Sequence, residues 1–153
     1  MPWWIDGGWG VDALLRRETR PHRDLDLVVP RASLDAAVAA LAPLGLTPVE
    51  SDPGLPARLV LHADDDRQVD LHPIVLDAEG NGRQEIAPGK WGLYPSKGLC
   101  GVGAIGGRPV RCLTPELQLR HHTGYEPTEV DRGDVRLLAE TFGVPLPEAY
   151  RKR

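Results

Sequence analysis

Apolar residues recur along the chain with two different periods, and the change of period marks the predicted elements. Near the N-terminus a short strand, Trp3 to Asp6, is followed by Gly7 and Gly8, after which apolar residues return at helical spacing. From Asp24 to Val29 the pattern alternates and then becomes wholly apolar, which is typical of a strand inside a sheet. The N-terminal segment therefore predicts strand, glycine turn, helix and buried strand.

The middle of the chain predicts strands joined by tight turns. Two longer runs flank the acidic turn Asp64-Asp65-Asp66 and indicate a hairpin, and a second hairpin is centred on Gly106-Gly107. The Gly- and Pro-rich stretch from Asp77 to Lys97 carries no pattern that assigns an element. The predicted strands of this region are Thr47 to Val49, Ala57 to Ala63, Gln68 to Val75, Val102 to Ile105 and Arg108 to Leu113.

Three further helices are predicted from apolar spacing and capping residues. Ser33 is predicted to cap the first of them, which ends near Pro43 and Gly45. Thr114 and Pro115 begin the second, which runs to about His122. The last carries Val135, Leu138 and Phe142 on its apolar face and stops at Gly143. Strands in the middle and helices at the ends predict an α+β fold with a mixed twisted sheet and flanking helices.

Length, charge and cysteine content narrow the class of protein. A chain of 153 residues fits one domain, 1–153, that buries roughly two-thirds of its unfolded surface. A net charge of -4 lacks the basic stripe needed for long nucleic acid, although a single nucleotide remains compatible. The chain has neither a bilayer-spanning apolar run nor a signal-peptide pattern, so we expect a cytoplasmic protein without a membrane partner. Cys100 and Cys112 are expected to be buried free thiols.

The stretch Asp24-Leu25-Asp26-Leu27 is the first candidate for chemistry. A period of two places both carboxylates on one face of the strand, ~6.6 Å apart, and both leucines on the other. Two anions this close repel each other, and a divalent cation between them would reverse that interaction. Asp70 and His72 repeat the pattern on a later strand. If the two strands are neighbours, three carboxylates form a cup suited to Mg²⁺.

Gly7 and Gly8 are the second candidate. A strand that ends in two glycines ahead of a helix lets the backbone approach an anion closely, and the helix N-terminus favours negative charge there. A phosphate cradle beside a metal cup predicts phosphoryl chemistry. Two ions ~3.5 to 4 Å apart can clamp the attacking and leaving oxygens, while a third carboxylate takes the proton of the attacking hydroxyl.

The order of these motifs resembles a known family. This order is similar to that in the core of the DNA polymerase beta-like nucleotidyltransferase superfamily: a glycine pair (Gly7-Gly8), an acid pair (Asp24-x-Asp26) and a single acid on a later strand. More narrowly, the stretches WWIDGGWGVDALL, TRPHRDLDL and GGRPVRC resemble the aminoglycoside and lincosamide antibiotic nucleotidyltransferases. The resemblance is close from Trp3 to Val29 and looser at the Asp70 strand and the second hairpin.

The resemblance implies roles for seven residues. Asp24 and Asp26 would bind two Mg²⁺ ions, and Asp70 would bind one of them and act as general base toward an acceptor hydroxyl. The residues implied to hold a nucleoside triphosphate are Gly7, Gly8, Arg20 and His22. The reaction implied is transfer of a nucleoside monophosphate to an antibiotic hydroxyl with release of pyrophosphate. Arg20 and His22 have an alternative interpretation as ordinary loop residues.

The sequence departs from the family pattern in two places. Relatives have a helix of about five turns ahead of the first strand, whereas the strand here begins at Trp3, so the first helix is expected to be missing. A late start, natural shortening or a partner chain over the exposed face would each account for this, and a homo-oligomer stays open. Gly8 stands where the superfamily often has Ser, so a phosphate contact there would be made by backbone alone.

Other candidate residues are interpreted as structural. His72 either lines the site or is a hydrogen-bonded structural histidine. His121 and His122 have no third ligand at metal spacing, and Asp12 is expected to anchor the first helix. The remaining assignments are a solvated turn for Asp64, Asp65 and Asp66, and core packing for Trp3, Trp4 and Trp9.

The sequence leaves the acceptor open. A polycationic aminoglycoside would suit acidic walls, for which Glu50, Asp52, Glu126 and Glu129 are available. Two functions compete with small-molecule transfer: a non-catalytic relative that binds nucleotide or an antibiotic-like ligand, and a nucleotidyltransferase that modifies a protein side chain.

Overall fold

A mixed β-sheet forms the centre of the molecule, which a computed structural model describes over residues 1–151. Seven strands of these residues run in the order β3-β4-β5-β2-β1-β9-β8, and the β6–β7 hairpin joins the far end of β5. The strands are β1 (Trp4–Asp6), β2 (Asp24–Pro30), β3 (Thr47–Val49), β4 (Leu59–His62), β5 (Gln68–Leu76), β6 (Gly82–Ala87), β7 (Lys90–Tyr94), β8 (Gly101–Ile105) and β9 (Arg108–Cys112). The β2/β5 and β1/β9 pairs are parallel and the others antiparallel, so the predicted mixed sheet is confirmed.

Four α-helices flank the sheet within these residues: α1 (Gly7–Leu15), α2 (Leu34–Leu41), α3 (Pro115–His121) and α4 (Glu129–Phe142). The predicted caps of α3 and α4 are confirmed, because the Thr114 side chain accepts from the Leu117 amide and Gly143 adopts a left-handed conformation. The predicted Ser33 cap is wrong. A 3-10 turn precedes α2 and gives Ser33 a ψ of 6°, so its hydroxyl makes no capping bond. No helix described here is long and apolar enough to cross a bilayer.

Strand β2 lies inside the sheet, between β1 and β5, as its apolar end predicts. Its alternation divides the sheet into two faces. Leu25, Leu27 and Val29 pack on one face against the core beneath α1 and α2. On the other face the C-terminal half of β2 packs Val28 against Trp4, while the N-terminal half presents carboxylates. One face of the sheet is therefore apolar at one end and acidic at the other.

The stretch from Asp77 to Lys97 contains the hairpin that the sequence does not reveal. Strands β6 and β7 turn at Gly89, which has a φ of +70°. Most of their side chains are exposed or half-buried, so they carry no alternation that marks a strand. The hairpin is held by its pairing with Val75 and Leu76 at the end of β5. It joins β5 past the residue that pairs with Pro30, the apolar end of β2, and supplies one wall of the cavity described below.

Three residues expected in the core are exposed. Trp3 is 39% exposed, whereas Trp4 is buried and its indole nitrogen donates to the Leu99 carbonyl at 2.6 Å. Phe142 is 42% exposed and lies in the last turn of α4, beyond the buried residues of that helix, which packs against α1 and α3. Cys112 is buried as expected, but Cys100 is exposed on the loop before β8. Apolar periodicity predicts where a strand or helix lies, but it does not predict which residues at the ends of that element are buried.

Candidate active site

Three aspartates occupy the acidic end of one sheet face. Asp26 on β2 lies directly opposite Asp70 on the parallel strand β5, and opposite Asp6 on the antiparallel strand β1. Asp24 lies one pleat away on β2, opposite Gln68. Side chains of directly paired residues share a face, so the structure brings Asp24, Asp26 and Asp70 together as the alternation predicts, and adds Asp6 to them.

Each of two central carboxylates has a cationic neighbour. His72 Nε2 lies 2.7 Å from Asp26 Oδ1, and Arg58 Nη1 lies 3.2 Å from Asp70 Oδ2. Gln68 donates a further hydrogen bond to Asp70 Oδ1 at 2.7 Å. Burial lowers the pKa of His72, but its hydrogen bond to Asp26 and the nearby carboxylates outweigh this and the pKa is raised. His72 therefore lines the cavity and is also hydrogen-bonded to a strand carboxylate.

The carboxylates also act on one another. Burial, followed by the charges of Asp26 and Asp70, raises the pKa of Asp24 above its ordinary value. In residues 1–151 no three His, Cys, Asp or Glu side chains are already arranged as a metal-binding group. Arg58, Gln68 and His72 instead contact oxygens of Asp26 and Asp70. The donor set still fits a hard cation, since carboxylate oxygens are its preferred ligands and the raised pKa of Asp24 marks negative charge that a cation would offset.

Gly7 and Gly8 begin α1 next to Asp26. Gly7 has a φ of +59°, and a Cβ at this position would collide with Asp26 Oδ2. A Cβ on Gly8 would lie 2.5 Å from His22 Nδ1 and 2.6 Å from Arg20 Nη2. The structure thus places the four residues implied to hold a triphosphate around one helix N-terminus, beside the acidic end of the sheet.

Two buried aspartates hold Arg20 and His22 in place. Asp134 on α4 accepts from both Nε and Nη2 of Arg20, at 3.2 and 2.8 Å. Asp12 on α1 lies 2.5 Å from His22 Nε2 and also accepts from the backbone and side chain of Thr19. Asp12 is therefore the structural anchor that the sequence predicts. Asp134 was not predicted, because it lies on a distant helix and resembles any other helical acid.

A cavity of about 450 Å³ opens beside the carboxylates. Its walls come from β1, β5, the β6–β7 hairpin, α3 and the loop before β4, and they include Asp6, Arg58, His72, Tyr94, Arg120 and His121. Burial raises the pKa of Asp6, but His121, whose Nδ1 lies 3.7 Å from Asp6 Oδ2, is the main cause of a net lowering. His121 was expected to be structural and not a metal ligand, and it lies in the cavity wall.

Of the cavity residues that the sequence analysis did not select, one has a recognisable position in the sequence and the others do not. Asp6 directly precedes the two glycines at the end of a strand, which is a recognisable position. Arg58 lies in an irregular segment, and Tyr94 and Arg120 come from elements whose spatial neighbours no local pattern identifies.

Comparisons with known proteins show the family to which the chain belongs. A family model described as aminoglycoside-2''-adenylyltransferase matches residues 1–138. A lincosamide resistance protein of Staphylococcus haemolyticus is 30% identical over 138 residues, which cover 90% of this chain and 84% of that protein. A 2''-aminoglycoside nucleotidyltransferase of Klebsiella pneumoniae is 38% identical over 115 residues, which cover 73% of this chain and 58% of that protein.

The fold is shared with a solved relative. The crystal structure of a lincosamide antibiotic adenylyltransferase bound to lincomycin is 29% identical, with a TM-score of 0.77, and the match covers 90% of this chain and 85% of that one. The mixed sheet with flanking helices is thus a nucleotidyltransferase fold, as the order of the motifs predicts. The chain belongs to the aminoglycoside-2''-adenylyltransferase family and is a nucleotidyltransferase.

Proposed function

We propose that this protein transfers a nucleoside monophosphate from a Mg²⁺-bound nucleoside triphosphate to a hydroxyl of an aminoglycoside- or lincosamide-like antibiotic. The single observation that carries the proposal is the pairing of Asp26 with Asp70 on neighbouring parallel strands, beside the glycines that begin α1. The named activities of the relatives support the class of acceptor. Arg20 beside Gly8 supports a triphosphate as the donor, because a guanidinium and a helix N-terminus together favour a polyanion, and His22 adds a ring nitrogen on the same side of Gly8.

Asp24 and Asp26 would hold Mg²⁺, with Asp70 as a shared ligand. Bound there, the ion would neutralise charge on the phosphates and the attacking oxygen. Asp70 would accept the proton of the acceptor hydroxyl as its oxygen attacks the α-phosphorus. The bond between the α-phosphorus and the bridging oxygen breaks, and pyrophosphate leaves. Arg58 and Gln68 fix the orientation of Asp70, and each carboxylate oxygen retains capacity for a further hydrogen bond.

The proposal is tested by the mass of the products. The protein is incubated with Mg²⁺, each of the four common nucleoside triphosphates and a panel of aminoglycosides and lincosamides. We expect an acceptor heavier by one nucleoside monophosphate and equimolar pyrophosphate, and no product when EDTA removes the metal. An acceptor heavier by a phosphate alone, or binding of nucleotide without product, contradicts the proposal. A modified protein with an unmodified acceptor supports transfer to a side chain instead.

Asp134 should matter for nucleotide binding although it lies outside the reacting groups. Asp134→Asn removes one of the two charged hydrogen bonds that hold Arg20 beside Gly8. Because Arg20 would then sample other orientations, we expect KM for the nucleotide to rise about tenfold while kcat changes little. Steady-state kinetics with varied nucleotide measures this.

The matched control is Glu140→Gln, which removes an exposed acid from the same helix. It should leave KM unchanged. If Asp134→Asn lowers only thermal stability and leaves KM at the wild-type value, Arg20 does not bind the triphosphate.

A further inference from the structure

The charge of the cavity beside the carboxylates is the starting observation. Arg58 and Arg120 line it and are always cationic. His72 and His121 add positive charge whenever they are protonated. Asp6 is the sole acid among the described residues that line the cavity, and its amide hydrogen bond from Gly7 and its approach to His121 already engage it.

Two of the three strand carboxylates beside the cavity are already paired with cations, and the third, Asp24, does not line the cavity. Asp26 is paired with His72 and Asp70 with Arg58, and only the cationic partner of each pair lines the cavity. Arg120 is exposed, and among the residues described here no carboxylate lies within ion-pair distance of it. An acceptor that enters this cavity therefore meets at least one guanidinium that is not neutralised.

The acids that the sequence offered for a polycation lie elsewhere. Glu126 and Glu129 are almost fully exposed and lie near Arg132, and Glu50 is exposed at the end of β3. Asp52 contacts Arg58 only through its backbone carbonyl. None of these four side chains lines the cavity as residues 1–151 define it.

The rest of the cavity is partly apolar. Pro53, Ala57, Ile86 and the ring of Tyr94 contribute to its walls. The Tyr94 hydroxyl donates to Gln84 Oε1 at 2.9 Å, so the ring presents its apolar surface while its polar end is satisfied. Such walls suit a ligand with an apolar part as well as hydroxyls, and they add no site for an ammonium group.

We infer that the acceptor of this site is a partly apolar hydroxyl compound carrying at most one positive charge, and that the unpaired guanidinium of Arg120 disfavours polycationic acceptors. This inference rests on the proposed function and selects one substrate class within it. The physical basis is that like charges brought together in a partly desolvated site oppose binding, whereas a neutral or singly charged acceptor avoids that cost.

A matched set of acceptors isolates the effect of charge. Lincomycin carries one basic nitrogen, and tobramycin carries several ammonium groups. Per-N-acetyl tobramycin loses these charges, while per-N-dimethyl tobramycin keeps them and gains comparable bulk. We expect kcat/KM to be about tenfold or more higher for lincomycin and for the acetylated compound than for tobramycin and its dimethyl derivative.

A charge reversal in the protein completes the test. Arg120→Glu should raise the ratio of kcat/KM for tobramycin over per-N-acetyl tobramycin by about tenfold. Arg136→Glu makes the same change on an exposed position of α4 and should leave that ratio unaltered. Thermal unfolding of both variants verifies that they fold.

The outcomes separate this inference from the proposed function. If tobramycin and its dimethyl derivative are modified faster than the uncharged compound, the inference is wrong and the proposed function stands. If no acceptor is modified, the proposed function is wrong. Calorimetric titration of the same acceptors then still decides the inference: tighter binding of the polycations overturns it, and tighter binding of lincomycin and the acetylated compound supports it.

Discussion

Replacing Asp26 by asparagine is expected to lower kcat for nucleotidyl transfer by about 1,000-fold while the protein stays folded. The substitution keeps an oxygen where His72 Nε2 approaches Asp26 Oδ1 at 2.7 Å, so the local hydrogen bond survives. It removes the negative charge that, with Asp24 and Asp70, would hold Mg²⁺ and the phosphates it carries. Asp6 and Asp70 lie on the strands on either side of Asp26, and strand pairing holds each at its own position. No neighbouring acid can therefore take the position of Asp26.

The experiment compares single-turnover rates of Asp26→Asn with those of Asp64→Asn. Asp64 is an exposed acid in the turn between β4 and β5, so its variant loses the same charge outside the site and should retain full activity. Circular dichroism and thermal unfolding confirm that both variants keep the fold. Turnover by Asp26→Asn at the wild-type rate would refute the proposed role of the carboxylates.

Replacing Gly7 by alanine is expected to have the second large effect. Its φ of +59° costs a residue with a side chain about 1–2 kcal/mol. The added Cβ would also collide with Asp26 Oδ2, so either the glycine backbone or the carboxylate must move. Since a misplacement of about 1 Å can cost roughly 100-fold in rate, we expect kcat to fall by at least that factor.

Gly106→Ala is a matched control for backbone strain. Gly106 has a φ of +55°, close to that of Gly7, but a Cβ there would meet nothing within 4 Å. Both variants should lose stability in denaturant unfolding from the strained backbone, Gly7→Ala more because of its collision with Asp26, and only Gly7→Ala should lose activity. Equal activity of the two variants would mean that close approach of the Gly7 backbone to Asp26 has no functional role.

The buried acids of this protein show why burial alone does not identify function. Asp12, Asp70 and Asp134 are all nearly inaccessible to solvent. Asp12 and Asp134 each pair with a group beside Gly8, whereas Asp70 lies opposite Asp26 and is bound by Arg58, which lines the cavity. The difference lies in what each carboxylate contacts, and those partners come from other elements.

Local sequence pattern was sufficient for most of the secondary structure. Alternation from Asp24 onward predicted an interior strand, because side chains point to opposite faces of a strand whatever its neighbours are. The glycine pair at Gly106-Gly107 predicted a hairpin, and Thr114-Pro115 predicted a helix start, because both depend on short-range backbone preferences. The β6–β7 hairpin was missed, since its strands are stabilised by pairing with β5 more than by a pattern of their own.

The sequence by itself determined that Asp24 and Asp26 share one face and that a glycine turn precedes a helix. Local geometry dictates both, and the order of these motifs also indicated the family. Only the tertiary structure decided that Asp26 lies opposite Asp70 and that Arg58, Arg120 and His121 share a cavity beside them. Strand pairing and helix packing bring together residues that are distant in the chain, and no periodicity encodes which elements become neighbours. The sequence therefore indicated the chemistry of the carboxylates. It did not indicate the positive charge that Arg58 and Arg120 bring to the cavity beside them.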